Sequence, residues 1–342
     1  MNLESISNTI LDETSSPEAL RAALDAFVSQ CSAVTDIEPN PSFDAWAEDS
    51  LLENGVAINP QAAAHCAVDY QRSVIFIRGV YAAINALESR AFDIPLEILY
   101  AGCGPFATLL LPLLSKFSVG ALNLHFLDIH QRSLDSVECL LTHFGYSSGA
   151  VQLIQGDACT YQHTGRLHLV VAETMQKSLE QEPQFAVTAN LASQLHTSGV
   201  FIPQRIEVEL CLCNLAREEA VQGQNKRHSL AMLCTLSAET AFEAIQQAKA
   251  SANNGAPQLE PITVVIPTLP DIAQLDAALF TRICVFEQYC LRDYEAQITL
   301  PLKCHEMLPL AGGEQYQVSY QLGSYPKFMF SKVIENQSGS KG

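Results

Sequence analysis

The sequence predicts an α/β fold: helices, then a doubly wound parallel sheet, then an antiparallel, barrel-like β domain. Three observations predict it. The stretch Glu97-Ile98-Leu99-Tyr100-Ala101-Gly102-Cys103-Gly104-Pro105-Phe106-Ala107-Thr108 reads as a buried strand, a tight glycine turn and the start of an apolar helix over 109–114. Gly102 and Gly104 let the backbone turn sharply and approach a ligand at the carboxyl end of a strand, where open α/β sheets bind cofactors. From Leu96 onward, strand-like and helix-like segments alternate at the spacing of parallel βαβ units. After about residue 204 the pattern changes to short period-two runs between Pro and Gly turns, which is how antiparallel strands read.

Each element follows from its residues. Residues 1–15 are polar and expected to fray. Ser16-Pro17-Glu18 sets a cap and a first-turn proline ahead of an apolar run from Ala19 to Val28, so a helix starts there. Pro39 and Pro41 break the pattern. Asn59-Pro60 starts a second helix that passes His65 and Phe76 and is expected to end near Gly79; a third covers 80–88. Residues 121–127 form a strand ending in Asp128. Residues 132–144 carry a helical stripe of Leu134, Val137, Leu140, Leu141 and Phe144, with Gly145 placed to cap it. Residues 151–154 form a strand ending in Gly156-Asp157-Ala158, and 167–172 a fourth ending at Glu173. A helix over 183–196 follows, and Gly199-Val200-Phe201-Ile202-Pro203 leads into a strand at 206–213. Beyond the polar segment 217–227, residues 238–250 are helix-like and stop at the loop Asn253-Asn254-Gly255-Ala256-Pro257. Period-two runs occupy 262–266, 282–289, 297–302, 316–322 and 327–330, and the tail from Asn336 is expected to be disordered.

Composition narrows the function. At 342 residues there is room for one large domain or two moderate ones, and 48% apolar with 16% charged residues is the balance of a soluble globular protein. The apolar run 106–114 contains Pro112 and falls far short of the roughly 18–20 residues that cross a bilayer, so no membrane partner is expected. The acidic start, Met1-Asn2-Leu3-Glu4, lacks a charged-then-apolar signal, and a cytoplasmic location is the expectation. A net charge of −18 argues against nucleic acid, whose phosphates need clustered Lys and Arg. It would attract cationic substrates, or simply aid solubility. The eleven cysteines include no C-x-x-C pair, and Cys211 and Cys213 alternate within a strand-like run, which reads as a reduced core. The nine histidines include no His-x-x-x-His pair, so no metal is expected.

The strand ends carry the chemistry. After the glycine turn, Asp128 can accept both hydroxyls of a ribose; Asp157 can accept from an adenine amine, and the small Ala158 leaves room for its ring. There is no G-x-x-x-x-G-K for a nucleoside triphosphate and no third glycine for a dinucleotide. S-adenosylmethionine, which has no phosphate to cradle, is the cofactor that remains. Glu173 and Glu182 bracket the loop 174–181, where two carboxylates could hold a guanidinium by charge-assisted bonds and present one nitrogen for methylation. A solvated acidic loop is the plainer alternative. Asp69 and Arg72, three positions apart, would be neighbours on one helix face, where a surface ion pair is worth little.

These features, in order, resemble the protein arginine methyltransferases from about residue 53 to the C-terminal barrel. Glu53-Asn54-Gly55-Val56-Ala57-Ile58 with Asp69-Tyr70-Gln71-Arg72 is similar to the family's N-terminal helix, and the resemblance implies that Arg72 grips the cofactor carboxylate. Gly102-Cys103-Gly104 matches the glycine motif, Asp128 the ribose acid, and Ala172-Glu173-Thr174-Met175 the opening of the double-glutamate loop. Glu182 follows nine residues after Glu173, as in the family. Gly199-Val200-Phe201-Ile202-Pro203 resembles the passage from sheet to barrel. Departures are also plain: Tyr100 stands where the family has an acid, Phe106 where it has a glycine, and Thr174 where it has a tryptophan. The family's Thr-His-Trp element, whose His supports the aspartate matched by Asp69, is missing; Trp46 is the only tryptophan.

The resemblance implies a Rossmann-like class I methyltransferase domain at 51–203, after a helical extension at 1–50. A β-barrel-like substrate and dimerisation domain is expected at 204–335, ahead of a tail at 336–342. A helical insertion at 215–256 would serve as a dimerisation arm or as a cap over the site. The implied activity is N-methylation of a guanidinium in a peptide by a homodimer. Methylation of a small guanidine or amine, and a non-catalytic binding role, stay open.

Overall fold

The computed structural model describes residues 1–39, 49–90, 92, 94–118, 120–146, 149–221, 226–250 and 259–334. Two helices come first, α1 (Leu3–Leu11) and α2 (Pro17–Thr35), each capped by the side chain before it: Asn2 accepts from the Ser5 N–H at 2.8 Å, Ser16 from Ala19 at 3.3 Å. The N-terminus is therefore not frayed. Ile6 and Ile10 of α1 are fully buried, a tertiary gain that the polar residues between them conceal in the sequence.

A hairpin, β1 (Ser50–Leu52) and β2 (Gly55–Ala57), takes up much of the stretch likened to a helix. Two helices follow, α3 (Pro60–Cys66) and α4 (Tyr70–Glu88). Gly79 ends neither: α4 runs straight through it, and the break lies earlier, at 67–69. A Cβ on Gly79 would lie 2.5 Å from Cγ1 of Val285, so this glycine lets a β-domain strand approach the helix.

The central sheet contains β3 (Leu96–Ala101), β4 (Leu122–Asp128), β5 (Val151–Gln155), β6 (Leu167–Ala172) and β7 (Leu195–Ile202), with α5 (Gln131–Phe144) and α6 (Gln184–Ala192) in its connections. All pairings are parallel, in the order β5-β4-β3-β6-β7. The chain lays down three strands in one direction, returns, and adds two on the other side. That is the doubly wound order, with its switch point between β3 and β6. Gly145 caps α5 in the left-handed conformation, as its position predicts. The apolar segment 109–114 is not an α-helix; it makes turns and a 3-10 helix, Leu111–Lys116. Pro105 and Pro112 remove amide donors, and Ala107 has a φ of +42°, so an α-helical ladder cannot be laid down there. The helix expected over 183–196 stops at Ala192, because 195–202 pairs with β6 as the sheet's edge strand.

The C-terminal unit contains β8 (Arg205–Cys213), α7 (Leu215–Val221), β9 (His228–Leu236), α8 (Ala238–Ala250), β10 (Ile262–Val265), β11 (Asp276–Phe286), β12 (Tyr289–Leu291), β13 (Leu302–Lys303), β14 (Gln315–Gln321) and β15 (Lys327–Lys332). It forms two antiparallel sheets, β12-β11-β8-β9 with β13 on β11, and β10-β14-β15. The stretch 215–256 is not all helical: β9 pairs with β8 as the edge strand of the first of these sheets. Residues 297–302 are a 3-10 turn and a two-residue strand rather than one strand, since Thr299 folds its hydroxyl back onto the Ala296 N–H at 3.0 Å. Trp46, the loop 253–257 and the tail from Asn336 lie outside the described residues. Among the described residues no helix is long and apolar enough to cross a membrane.

Candidate active site

At the switch point the carboxyl ends of β3, β4 and β6 open into a cleft of about 980 Å³, its mouth included. Arg72, Gly102, Cys103, Gly104, Asp128, Asp157, Ala158, Glu173 and Glu182 all line it. Among the described residues, none of α7, β9 or α8 lines it.

The floor is the glycine turn. Gly102 and Gly104 have φ of +67° and +61°, and a Cβ on Gly102 would lie 2.5 Å from Cγ2 of Thr174. Asp128, buried at the end of β4, accepts from the Gly104 N–H through Oδ2 and from the His130 N–H through Oδ1, both at 2.9 Å. Its remaining lone pairs can still accept. Asp157 is oriented by the Cys159 N–H at 2.8 Å, and the Ala158 carbonyl takes the Asn190 amide at 2.9 Å. The Cys103 thiol is held well above its ordinary pKa, first by burial and then by the Asp128 charge, so it stays an inert wall. Burial does the same to the Tyr100 phenol, with Cys103 and Glu173 adding to it.

The loop from Glu173 to Glu182 is built under constraint. Ser178, Leu179 and Gln181 take left-handed φ of 59°, 57° and 66°, conformations that persist only where the surroundings over-determine them. The β domain supplies that determination. Thr281 accepts from the Ser178 N–H at 2.9 Å, Tyr320 donates its hydroxyl to the Leu179 carbonyl at 2.6 Å, and the Pro326 carbonyl takes the Gln181 N–H at 2.8 Å. The Val56 N–H of the hairpin donates to the Gln181 carbonyl at 2.8 Å. Gln184 closes the loop's base, accepting from the Thr174 N–H at 2.9 Å and donating to the Ala172 carbonyl at 3.0 Å.

Arg72 reaches from α4 into the cleft and pairs with Oε2 of Glu173. The surface ion pair with Asp69 does not form. Asp69 instead accepts the backbone N–H of Gln297 at 2.8 Å, so a main-chain amide of the β domain supports the aspartate although the Thr-His-Trp element is missing. Oε1 of Glu173 is buried and has no partner among the described residues. Burial raises the Glu173 pKa against the opposing pull of Arg72. Glu182 is pushed up to about 8, first by burial and then by the Glu173 charge, with Arg72 working against both. Two buried acids thus lie in the field of one guanidinium, which among the described residues pairs with Glu173 alone.

Sequence reasoning missed Cys66, Gly55 and Gln184. Cys66 lines the cleft beside Arg72, its thiol raised to about 11 by burial. Gly55 has no room for a Cβ, which would lie 2.7 Å from the Pro183 nitrogen. The spacing of Gln184 after Glu182 was visible, but only the fold shows that it joins the two ends of the loop.

Fold and cleft together define a doubly wound α/β protein with a cleft at the switch point of its sheet, and an antiparallel β domain that holds one wall of that site. No protein-family model and no curated protein sequence matches the chain. Among solved structures it is similar to the Trypanosoma brucei PRMT1 enzyme–prozyme heterotetrameric complex with AdoHcy, at 13% identity over 79% of this chain and 92% of that one, with a TM-score of 0.46. It is also similar to Arabidopsis thaliana protein arginine methyltransferase 10, at 10% identity over 75% and 85%, with a TM-score of 0.46. A third is PRMT6 with SAH, at 10% identity over 78% and 97%, with a TM-score of 0.47.

Proposed function

We propose that this chain is an S-adenosylmethionine-dependent N-methyltransferase acting on a guanidinium, arginine-type nitrogen. The observation that carries this reading is the buried pair Glu173 and Glu182 beside the glycine turn: Glu173 already holds one guanidinium, that of Arg72, and keeps Oε1 without a partner among the described residues. The residues present fit the cofactor. Gly102 and Gly104 leave the main chain open to close approach, Asp128 would accept the ribose hydroxyls, and Asp157 and Ala158 would receive the adenine. Arg72 has donors to spare for the cofactor carboxylate while it stays paired with Glu173.

When bound, S-adenosylmethionine supplies an electrophilic methyl group. The chain's own part is positioning and charge balance. Glu173, charge-paired with Arg72, and Glu182 would hold the acceptor nitrogens. Glu182 carries its proton in the ligand-free protein near neutral pH and would release it on meeting a cation. Glu173 is the group that would take the proton lost from the methylated nitrogen.

Replacing Glu182 with Gln keeps shape and hydrogen bonding but removes the charge. Transfer to arginine-rich peptides is expected to fall by about a hundredfold or more, the scale of removing one positioned charge partner. Undiminished transfer would reject the role of the pair. A homodimer and a cytoplasmic location accompany this reading; a monomer by size exclusion at all concentrations would reject the dimer. Thr174, in place of a bulky wall residue, favours a second reading in which a small free guanidine or amine is the acceptor. That reading gains if free guanidines are methylated and peptides are not.

A further inference from the structure

The inward face of the sheet carries a polar cluster that the cleft does not use. Glu97, Leu99 and Ala101 alternate onto one face of β3, as do His125 and Leu127 on β4. Leu99, Ala101 and Leu127 belong to an apolar cluster there, whereas Glu97 and His125 occupy its far end. That end lies five residues, about 17 Å, along β3 from the glycine turn. His163, from the β5–β6 connection, folds over them.

The three side chains converge. One ligand atom from each of Glu97, His125 and His163 lies within 4.8 Å of the others. Oε2 of Glu97 is 2.7 Å from Nε2 of His125 and 3.8 Å from Nε2 of His163. The outer atoms of Glu97 and His163 are fixed by other groups. Oε1 of Glu97 accepts the Asn123 amide at 2.7 Å, and Nδ1 of His163 meets the Tyr161 hydroxyl at 3.2 Å. Such outer bonds orient metal ligands and set the tautomer. The rings of His125 and His163 stand nearly edge-on, 4.7 Å apart, and a surface pocket lined by all three residues gives a way in.

A hydrogen bond from His125 to Glu97 explains one of these histidines. It leaves the second aimed at the same oxygen from beyond hydrogen-bond reach, and Nδ1 of His125 buried with no partner among the described residues. A tetrahedral ion with bonds of about 2.0–2.1 Å needs its ligand atoms about 3.3 Å apart. The two Glu97 separations bracket that value, so a shift of about half an ångström in the half-buried carboxylate would satisfy both, and the two imidazole nitrogens, within 4.8 Å of one another, would close on the ion with it.

We propose that Glu97, His125 and His163 form a binding site for one divalent transition-metal ion of the zinc class, with water completing the coordination. Two histidines and one carboxylate are a ligand set that suits zinc. The ion would tie β3, β4 and the β5–β6 connection together at the end of the sheet opposite the cleft, independently of any methyl transfer.

The test uses untagged, chelator-treated full-length protein titrated with zinc chloride against a chromophoric chelator. One equivalent is expected to bind, and the unfolding midpoint to rise by several degrees. Glu97→Gln and His163→Gln, checked for native far-ultraviolet circular dichroism, are each expected to lose about tenfold or more in affinity. Cobalt(II) in the unaltered chain should give intense visible bands of low coordination number and paramagnetically shifted ring protons from two histidines, a readout that needs no variant. No stoichiometric zinc, a six-coordinate cobalt spectrum, or equal affinity in both folded variants would overturn the site.

Discussion

Glu182 concentrates the physics of the site in one side chain. Burial and the Glu173 charge raise its pKa from 4.5 to about 8, so the folded protein binds a proton there that the unfolded chain releases. The stability this protonation contributes is present below about pH 4.5 and is lost as pH rises towards 8. Each tenfold difference in proton affinity between the folded and unfolded chain is worth about 1.4 kcal/mol, so the loss is on the order of a few kcal/mol. Urea unfolding at pH 5, 6.5 and 8.5 should show the unaltered protein falling progressively behind Glu182→Gln as the pH rises. A constant gap would mean that the carboxyl is not desolvated. Both glutamates were legible in the sequence by spacing; their burial and the capture of Arg72 by one of them were not, because the residues lie on separate elements.

At the level of elements, α4 and the double-glutamate loop show how the β domain shapes the site. Gly79 has its missing Cβ 2.5 Å from Val285, so α4 sits closer to β11 than any side chain would permit. Gly79→Ala should cost about 1–3 kcal/mol through overpacking, although alanine is the better helix former. In a Val285→Ala background the same change should be neutral or stabilising. Equal costs in the two backgrounds, measured by a double-mutant cycle, would reject the contact. In sequence Gly79 looks like a helix end, since nothing local distinguishes a stop from a close approach. The loop is similar: its left-handed residues carry no local signal, because Thr281, Tyr320 and Pro326 impose their conformation from afar.

At the scale of the whole molecule, the cleft lies where strand order reverses, and its wall is a loop clamped from the second domain. A ligand that fits it should therefore stabilise both domains together. S-adenosylhomocysteine at about a hundred times its dissociation constant contributes about 2.7 kcal/mol, and the unfolding midpoint should rise by a few degrees in a single transition. No shift would place the binding reading of the cleft in doubt and reduce the glutamate pair to an acidic loop. A shift confined to one of two transitions would show that the domains are not coupled through 173–182.

What the sequence determined by itself was local. The glycine turn, the acids at strand ends, the helical stripe of α5 and the period-two runs of the barrel are set by backbone permissiveness and by side-chain periodicity, both of which act over a few residues. Tertiary structure decided whatever needs a partner far along the chain. It buried α1, ran α4 through Gly79, made 195–202 an edge strand, and gave Asp69 the Gln297 amide in place of a histidine. It also brought Glu97, His125 and His163 to one point, although no spacing in the sequence joins them. The reason is common to all of these. Burial, charge pairing and ligand geometry depend on distance in space, and a parallel sheet places residues tens of positions apart in direct contact.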